Sequence, residues 1–190
     1  DVNIPSPEAI FRNVLYGTTY FREKFGKRSE DIYLPDCFGF GWALPSVAAH
    51  ANLKGFTTQK LIWSSAYEVP FDLGVWQGPD GSKIYASLDA GDYNRSLKTV
   101  RKKGSVNRKL KSNIRKYDLP FTFVLHGIGD RGGAPREESV KAVLNEAEMN
   151  LSSKTDVIPA ATDQVFRDMD KVLTHEQKAK LPVWNNELVM

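Results

Sequence analysis

Phe121-Thr-Phe-Val-Leu-His-Gly-Ile-Gly-Asp-Arg-Gly-Gly-Ala-Pro135 is the stretch on which the fold turns. Its first five residues, Phe121 to Leu125, alternate aromatic and β-branched side chains and predict a strand. Four glycines between Gly127 and Gly133 predict a loop whose backbone another group can approach closely. Pro135 predicts the first turn of a helix. Glu137 and Glu138 fall in that turn, where the helix dipole favours acids. Val140, Val143, Leu144, Ala147 and Leu151 then recur at the spacing of one helix face. Asp156-Val-Ile-Pro159 predicts a returning strand, and a further helix runs from Thr162 to Leu173. Such alternation implies an α/β fold with a mainly parallel sheet flanked by helices.

The flanking sequence agrees. Ser6-Pro7 is an N-cap followed by proline at the first helical position, and Ile10, Phe11, Val14, Phe21 and Phe25 keep helical spacing until Gly26. Asp31 to Pro35 predicts a short strand that enters the loop Asp36-Cys-Phe-Gly-Phe-Gly41. A helix of small residues is expected over Leu44 to Asn52, then a strand over Gly55 to Lys60. Pro79-Asp-Gly-Ser82 predicts a turn leading into the strand Lys83 to Leu88. Leu181 to Met190 is extended. The basic stretch between Arg95 and Lys116 is expected to be helical, with Gly104 as its interruption.

Composition narrows the class of molecule. With 41% hydrophobic residues among 190, and 4 Trp, 7 Tyr and 10 Phe, the chain has enough apolar surface for a packed core. No apolar run approaches the roughly 20 residues of a bilayer span, so no membrane partner is expected. The single cysteine, Cys37, excludes a disulfide scaffold and a thiolate metal cluster. Charge is uneven. Ten Lys/Arg and no acid lie between Arg95 and Lys116, which leaves 16 basic against 23 acidic residues elsewhere, a net of −7. Such a block is either a solvated helix face or a patch for an anionic partner. It has no aromatics interleaved for base stacking before Tyr117, which argues against a nucleic-acid module.

Ligands of parallel α/β sheets bind beyond the carboxyl ends of the strands. Asp36, Lys60 and Asp130 fall at such ends. Two carboxylates on neighbouring strand ends suit nucleophile and acid/base work on a sugar; turn or cap aspartates are the bland alternative. Gly127-Ile-Gly-Asp-Arg-Gly132 also fits the G-x-G-x-x-G pattern of a dinucleotide site, which would make the chain a Rossmann-type oxidoreductase. Asp130 within that loop would repel a pyrophosphate, and no acid follows about 20 residues on to hold a ribose. Among His50, His126 and His175, only His126, at the mouth of the glycine loop, is expected near a substrate. No H-x-x-x-H or H-x-D spacing occurs, so the chain alone does not spell a four-ligand metal site.

Leu34-Pro-Asp-Cys-Phe-Gly-Phe-Gly-Trp-Ala-Leu-Pro45 resembles the D-x-F-G segment of the family 38 glycoside hydrolases, the class II α-mannosidases. Asp1 to Glu8 with Tyr16-Gly17, Gly55-Phe-Thr-Thr-Gln-Lys-Leu-Ile-Trp63, Val75-Trp-Gln-Gly-Pro-Asp-Gly81, His126 to Pro135 and Leu181 to Leu188 resemble further family segments, in family order. Arg131 and Ala134 depart from glycines of the family's loop, and Gly41-Trp42 from its small residues. The resemblance implies a single α/β piece, residues 1–190, of a distorted β/α-barrel-like catalytic domain, with the upstream and downstream parts absent. It implies a retaining exo-α-mannosidase acting on terminal α-mannosides of glycans, homo-oligomeric at full length. Asp36 would be nucleophile and ligand of one zinc ion, Asp130 the general acid/base, and Phe38, Lys60, Tyr93 and His126 substrate contacts. The remaining zinc ligands would lie before Asp1 and after Met190, so the isolated chain is expected to be inactive. A non-catalytic relative is the alternative.

Overall fold

The computed structural model describes residues 2–63, 68–98, 101, 104–130 and 132–190. Helix α1 (Pro7–Phe25) starts as its sequence requires: the Ser6 hydroxyl accepts from the Ala9 N–H at 3.3 Å and Pro7 opens the first turn. Gly26, at φ 66°, ends it in the left-handed conformation that glycine adopts without strain. None of its residues is buried; Ile10 and Val14 rest on the core, while Leu15, Tyr16, Tyr20, Phe21 and Phe25 face outward.

Strands β1 (Asp31–Tyr33), β3 (Gly55–Thr57), β4 (Leu73–Gln77), β5 (Lys83–Ser87) and β6 (Val183–Trp184) form one sheet in the order β1-β3-β5-β4-β6. Only the hairpin pair β4–β5 is antiparallel; the other three pairings are parallel. Strands β2 (Gly39–Phe40) and β7 (Leu188–Val189) make a separate antiparallel ribbon. Helices cover both faces of the sheet, as an α/β fold requires.

Period-2 alternation sorts the core. On one face Phe56, Trp76 and Ala86 meet Phe40 and the helix α2 (Leu44–His50), with ring centroids 4.8 Å apart for Phe40–Phe56 and 5.0 Å for Phe56–Trp76. Burying rings of this size contributes about 2–3 kcal/mol each. On the other face Leu73 and Tyr85 meet helix α5 (Gln164–Val172), where Phe166 stacks on Tyr85. A Cβ at Gly55 would sit 2.0 Å from Phe166, so that ring lies directly on the β3 backbone. The turn of the β4–β5 hairpin is tied to α2 through Asp80, which accepts from the hydroxyls of Ser46 and Ser82 and pairs with His50 at 2.8 Å. His50 is thus a partner of a carboxylate on the surface, and His175 is the exposed first residue of α6 (His175–Ala179).

Two expected strands are not strands. Phe121–Leu125 joins no ladder; Asn113 donates to the Phe121 carbonyl and the Leu125 N–H donates to Ala90, while Phe121 and Phe123 pack on the α5 face of the core. Residues 156–159 are likewise unladdered, with Val157 held by the Asn150 side chain. β-Propensity selects the extended conformation, but a strand also requires an edge to pair with. The helix expected from Pro135 begins later, as α4 (Glu137–Glu148).

The basic stretch divides. Thr99, Val100, Lys102 and Lys103 lie outside the described residues. Helix α3 (Ser105–Tyr117) follows Gly104, which begins the helix rather than interrupting it. Lys109 pairs with Asp89 at 2.6 Å, and Arg101, half-buried, donates to the Thr155 and Glu146 carbonyls, the Glu146 carboxylate and Asn150. Part of the apparent patch is therefore internal structure. No helix among the described residues is long and apolar enough to cross a membrane.

Candidate active site

Asp36 and Lys60 meet because of strand register. Tyr33, the last residue of β1, is level with Thr57, the last residue of β3, in a parallel pair. Three residues beyond each lie Asp36 and Lys60, so the two exits run side by side. The exits are also laced together: the Leu34 N–H donates to the Thr57 carbonyl, the Thr58 hydroxyl donates to the Leu34 carbonyl at 2.8 Å, and the Gln59 amide donates to the Pro35 carbonyl at 3.0 Å. The Lys60 ammonium then donates to Asp36 Oδ1 at 2.9 Å. Lys60 is 3% exposed, whereas the Asp36 side chain is 59% exposed and open to a ligand.

The next strand of the sheet, β5, delivers the second half. Six residues past its end is Tyr93, whose hydroxyl accepts from Lys60 and donates to Asp130 Oδ1 at 2.9 Å. Asp130 sits at φ 63°, a left-handed conformation that aspartate tolerates better than most residues. The glycine loop exists for Tyr93: a Cβ at Gly129 would lie 1.9 Å from the Tyr93 ring, and the Gly129 N–H reaches the Asn94 side chain. The Gly127 N–H donates to the Arg95 carbonyl at 2.9 Å.

Asp36, Lys60, Tyr93 and Asp130 thus form one series of three hydrogen bonds. Three bonds of ordinary length limit the separation of the outer carboxylate oxygens to about 10 Å. Burial opposes the charge on Lys60, but the bonds to Asp36 and Tyr93 prevail and hold its pKa above the usual lysine value. The bond to Asp130, together with burial, raises the Tyr93 hydroxyl above its ordinary range despite Lys60. Near neutral pH the lysine therefore stays charged and the tyrosine keeps its proton, so that Lys60 donates to Asp36 and Tyr93 while Tyr93 donates to Asp130.

Phe38 stands at the same rim, 64% exposed, with its ring 5.6 Å from the Lys60 nitrogen. His126 does not join this group. It lines a cavity of about 650 Å³ bounded by α3, the segments 120–124 and 154–160, and α5, and its buried Nδ1 has no hydrogen-bond partner among the described residues. Trp63 was not singled out for chemistry by the sequence, yet its ring centroid is 3.3 Å from the Lys60 nitrogen. Arg131 lies outside the described residues.

Residues 1–187 match the family model described as "Glycosyl hydrolases family 38 N-terminal domain". The chain belongs to glycoside hydrolase family 38. An α-mannosidase of Saccharomyces cerevisiae is 31% identical to this family 38 chain over 193 residues, covering 99% of the chain and 17% of the relative. Mouse α-mannosidase 2C1 is 30% identical over 197 residues, covering 100% and 17%. α-Mannosidase G of Dictyostelium discoideum is 33% identical over 138 residues, covering 71% and 12%. The crystal structure of an α-mannosidase from Enterococcus faecalis V583 shares the fold, with a TM-score of 0.63 and 21% identity over 96% of the chain and 20% of its own length. The family 38 chain spans less than a fifth of the length of these curated relatives.

Family membership removes the dinucleotide reading, and the loop agrees. A nucleotide loop of that kind joins a ladder strand to a helix N-terminus; here the preceding segment is unladdered, and Tyr93 fills the space over Gly129. No group of three His, Cys, Asp or Glu that could hold a metal ion gathers among the described residues. Asp36 has two carboxylate oxygens, of which Lys60 takes Oδ1.

Proposed function

We propose that the protein is a retaining exo-α-mannosidase that releases terminal mannose from glycans, with Asp36 as nucleophile and Asp130 as general acid and base. The observation that carries this reading is the series Asp36–Lys60–Tyr93–Asp130, which links the carboxyl group of Asp36, just beyond β1, to that of Asp130 in the glycine loop. Its span includes the separation of about 5–5.5 Å that retention requires. The Asp36 carboxylate attacks the anomeric carbon while the glycosidic C–O bond breaks and Asp130 gives its proton to the leaving oxygen. Asp130 then takes a proton from water, which attacks the anomeric carbon and frees Asp36. Phe38 packs against the sugar, and Lys60 orients the nucleophile. A substrate hydroxyl contact to Tyr93 belongs to the same proposal; His126, which lines the separate cavity, takes no part in it. Zinc enters it only as an ion to which Asp36 would give one oxygen, the other ligands lying outside these residues; no step above depends on it.

The full-length protein should hydrolyse aryl α-mannosides with retained anomeric configuration, read by proton NMR. Asp36→Asn should lower kcat by about four orders of magnitude or more, and a 2-fluoro-mannosyl fluoride should label the peptide containing Asp36. Labelling of a different carboxylate, or an unimpaired Asp36→Asn variant, would remove the nucleophile assignment.

A further inference from the structure

Trp63 does something that neither the family motif nor the hydrophobic core accounts for. It belongs to neither core cluster and is 54% exposed, so packing does not explain its place. Its backbone N–H donates to the Lys60 carbonyl at 3.0 Å, closing the 3-10 turn Lys60–Ile62. Residues three apart on such a turn eclipse one another, which lays the indole over the side chain of Lys60. The result is the 3.3 Å approach of the ammonium to the indole centroid, against 5.4 Å for Tyr93 and 5.6 Å for Phe38.

An ammonium withdrawn from water requires replacements for its hydration. Asp36 and Tyr93 take two of its directions, and of the rings about it that of Trp63 lies nearest. Indole has the strongest of the aromatic quadrupoles for holding a cation. With Trp63 absent, Lys60 would open to water on that side and gain rotamers in which it reaches neither Asp36 nor Tyr93.

We propose that Trp63 is a positioning residue of the site, an aromatic cover that fixes Lys60 as the common donor to Asp36 and Tyr93. This rests on the mannosidase reading above. Trp63 touches no reacting atom; it acts through Lys60.

The test uses the full-length protein with Trp63→Leu and Trp63→Phe, read in two ways. Amine labelling followed by mass spectrometry should find Lys60 protected in the wild type and in Trp63→Phe, and reactive in Trp63→Leu. On an aryl α-mannoside, Trp63→Leu should lose about tenfold in kcat with KM unchanged, and Trp63→Phe should recover most of that loss. Lys60 still protected in Trp63→Leu would overturn the proposal. So would a rise in KM at constant kcat, which would make the indole a sugar platform. A wild type inert toward α-mannosides would sink the mannosidase reading and any catalytic role for Trp63 with it, whereas an active wild type with an indifferent Trp63→Leu would sink only the role of Trp63.

Discussion

At Asp72 a carboxyl is shut into the packing just before β4. Asn113 and Thr122 each donate to Oδ2, at 2.9 and 2.8 Å, and Oδ1 is buried without a partner among the described residues. Burial pushes this carboxyl up to about 6, against the smaller pull of Lys109 and the two hydrogen bonds. The folded state therefore holds the proton more tightly than the unfolded chain, whose value is 3.8. The sign follows: stability gains as pH falls from above 6 toward 4, and raising the pH through 6 removes up to about 3 kcal/mol. Asp31, raised by its own burial, acts in the same direction. Urea midpoints measured between pH 4 and pH 8 should fall with rising pH in the wild type, and Asp72→Asn should flatten that slope. An equally steep slope in the variant would show that Asp72 is not its source.

Elements bring the site together, and their failures of prediction are instructive. Two short strand signals, Asp31–Pro35 and Gly55–Lys60, made Asp36 and Lys60 legible as strand-end residues, but not the register that sets them side by side: β3 ends at Thr57, and Lys60 opens a 3-10 turn instead. The glycine loop was legible as a loop but not in purpose, because the ring it accommodates is Tyr93, 36 positions earlier in the chain. Replacing Gly129 by alanine should push that ring away and break its bond to Asp130. An overpacked contact of this kind costs about 1–3 kcal/mol, and kcat should fall about tenfold or more along with it. Denaturant midpoints and rates on the full-length protein check both. A stable Gly129→Ala variant with normal turnover would mean that the Tyr93–Asp130 bond does not matter to the reaction. Phe121–Leu125 failed as a strand for a related reason: conformation is encoded locally, whereas the edge it would pair with is not.

At the scale of the molecule, helices on both faces of a mainly parallel sheet were readable because periods of 2 and 3.6 are local properties. The aromatic cover of Lys60 was hidden by its ordinariness, one tryptophan in a stretch that otherwise reads as strand exit. The metal question also belongs to the whole. One aspartate is a poor zinc site, since structural and catalytic zinc take three or four protein ligands. Calorimetry on the 190-residue chain should find no zinc affinity tighter than about 100 µM; micromolar binding would reveal a ligand set within it.

The level ends of β1 and β3 make chain length itself a chemical variable. Asp36 and Lys60 stand opposite each other because an equal number of residues, two, separates each from its strand. One inserted residue in either exit, of whatever type, turns its side chain away from its partner as surely as deleting the carboxylate. A swapped side chain at this rim leaves the pairing geometry in place, whereas a change of loop length in one exit alone would break it.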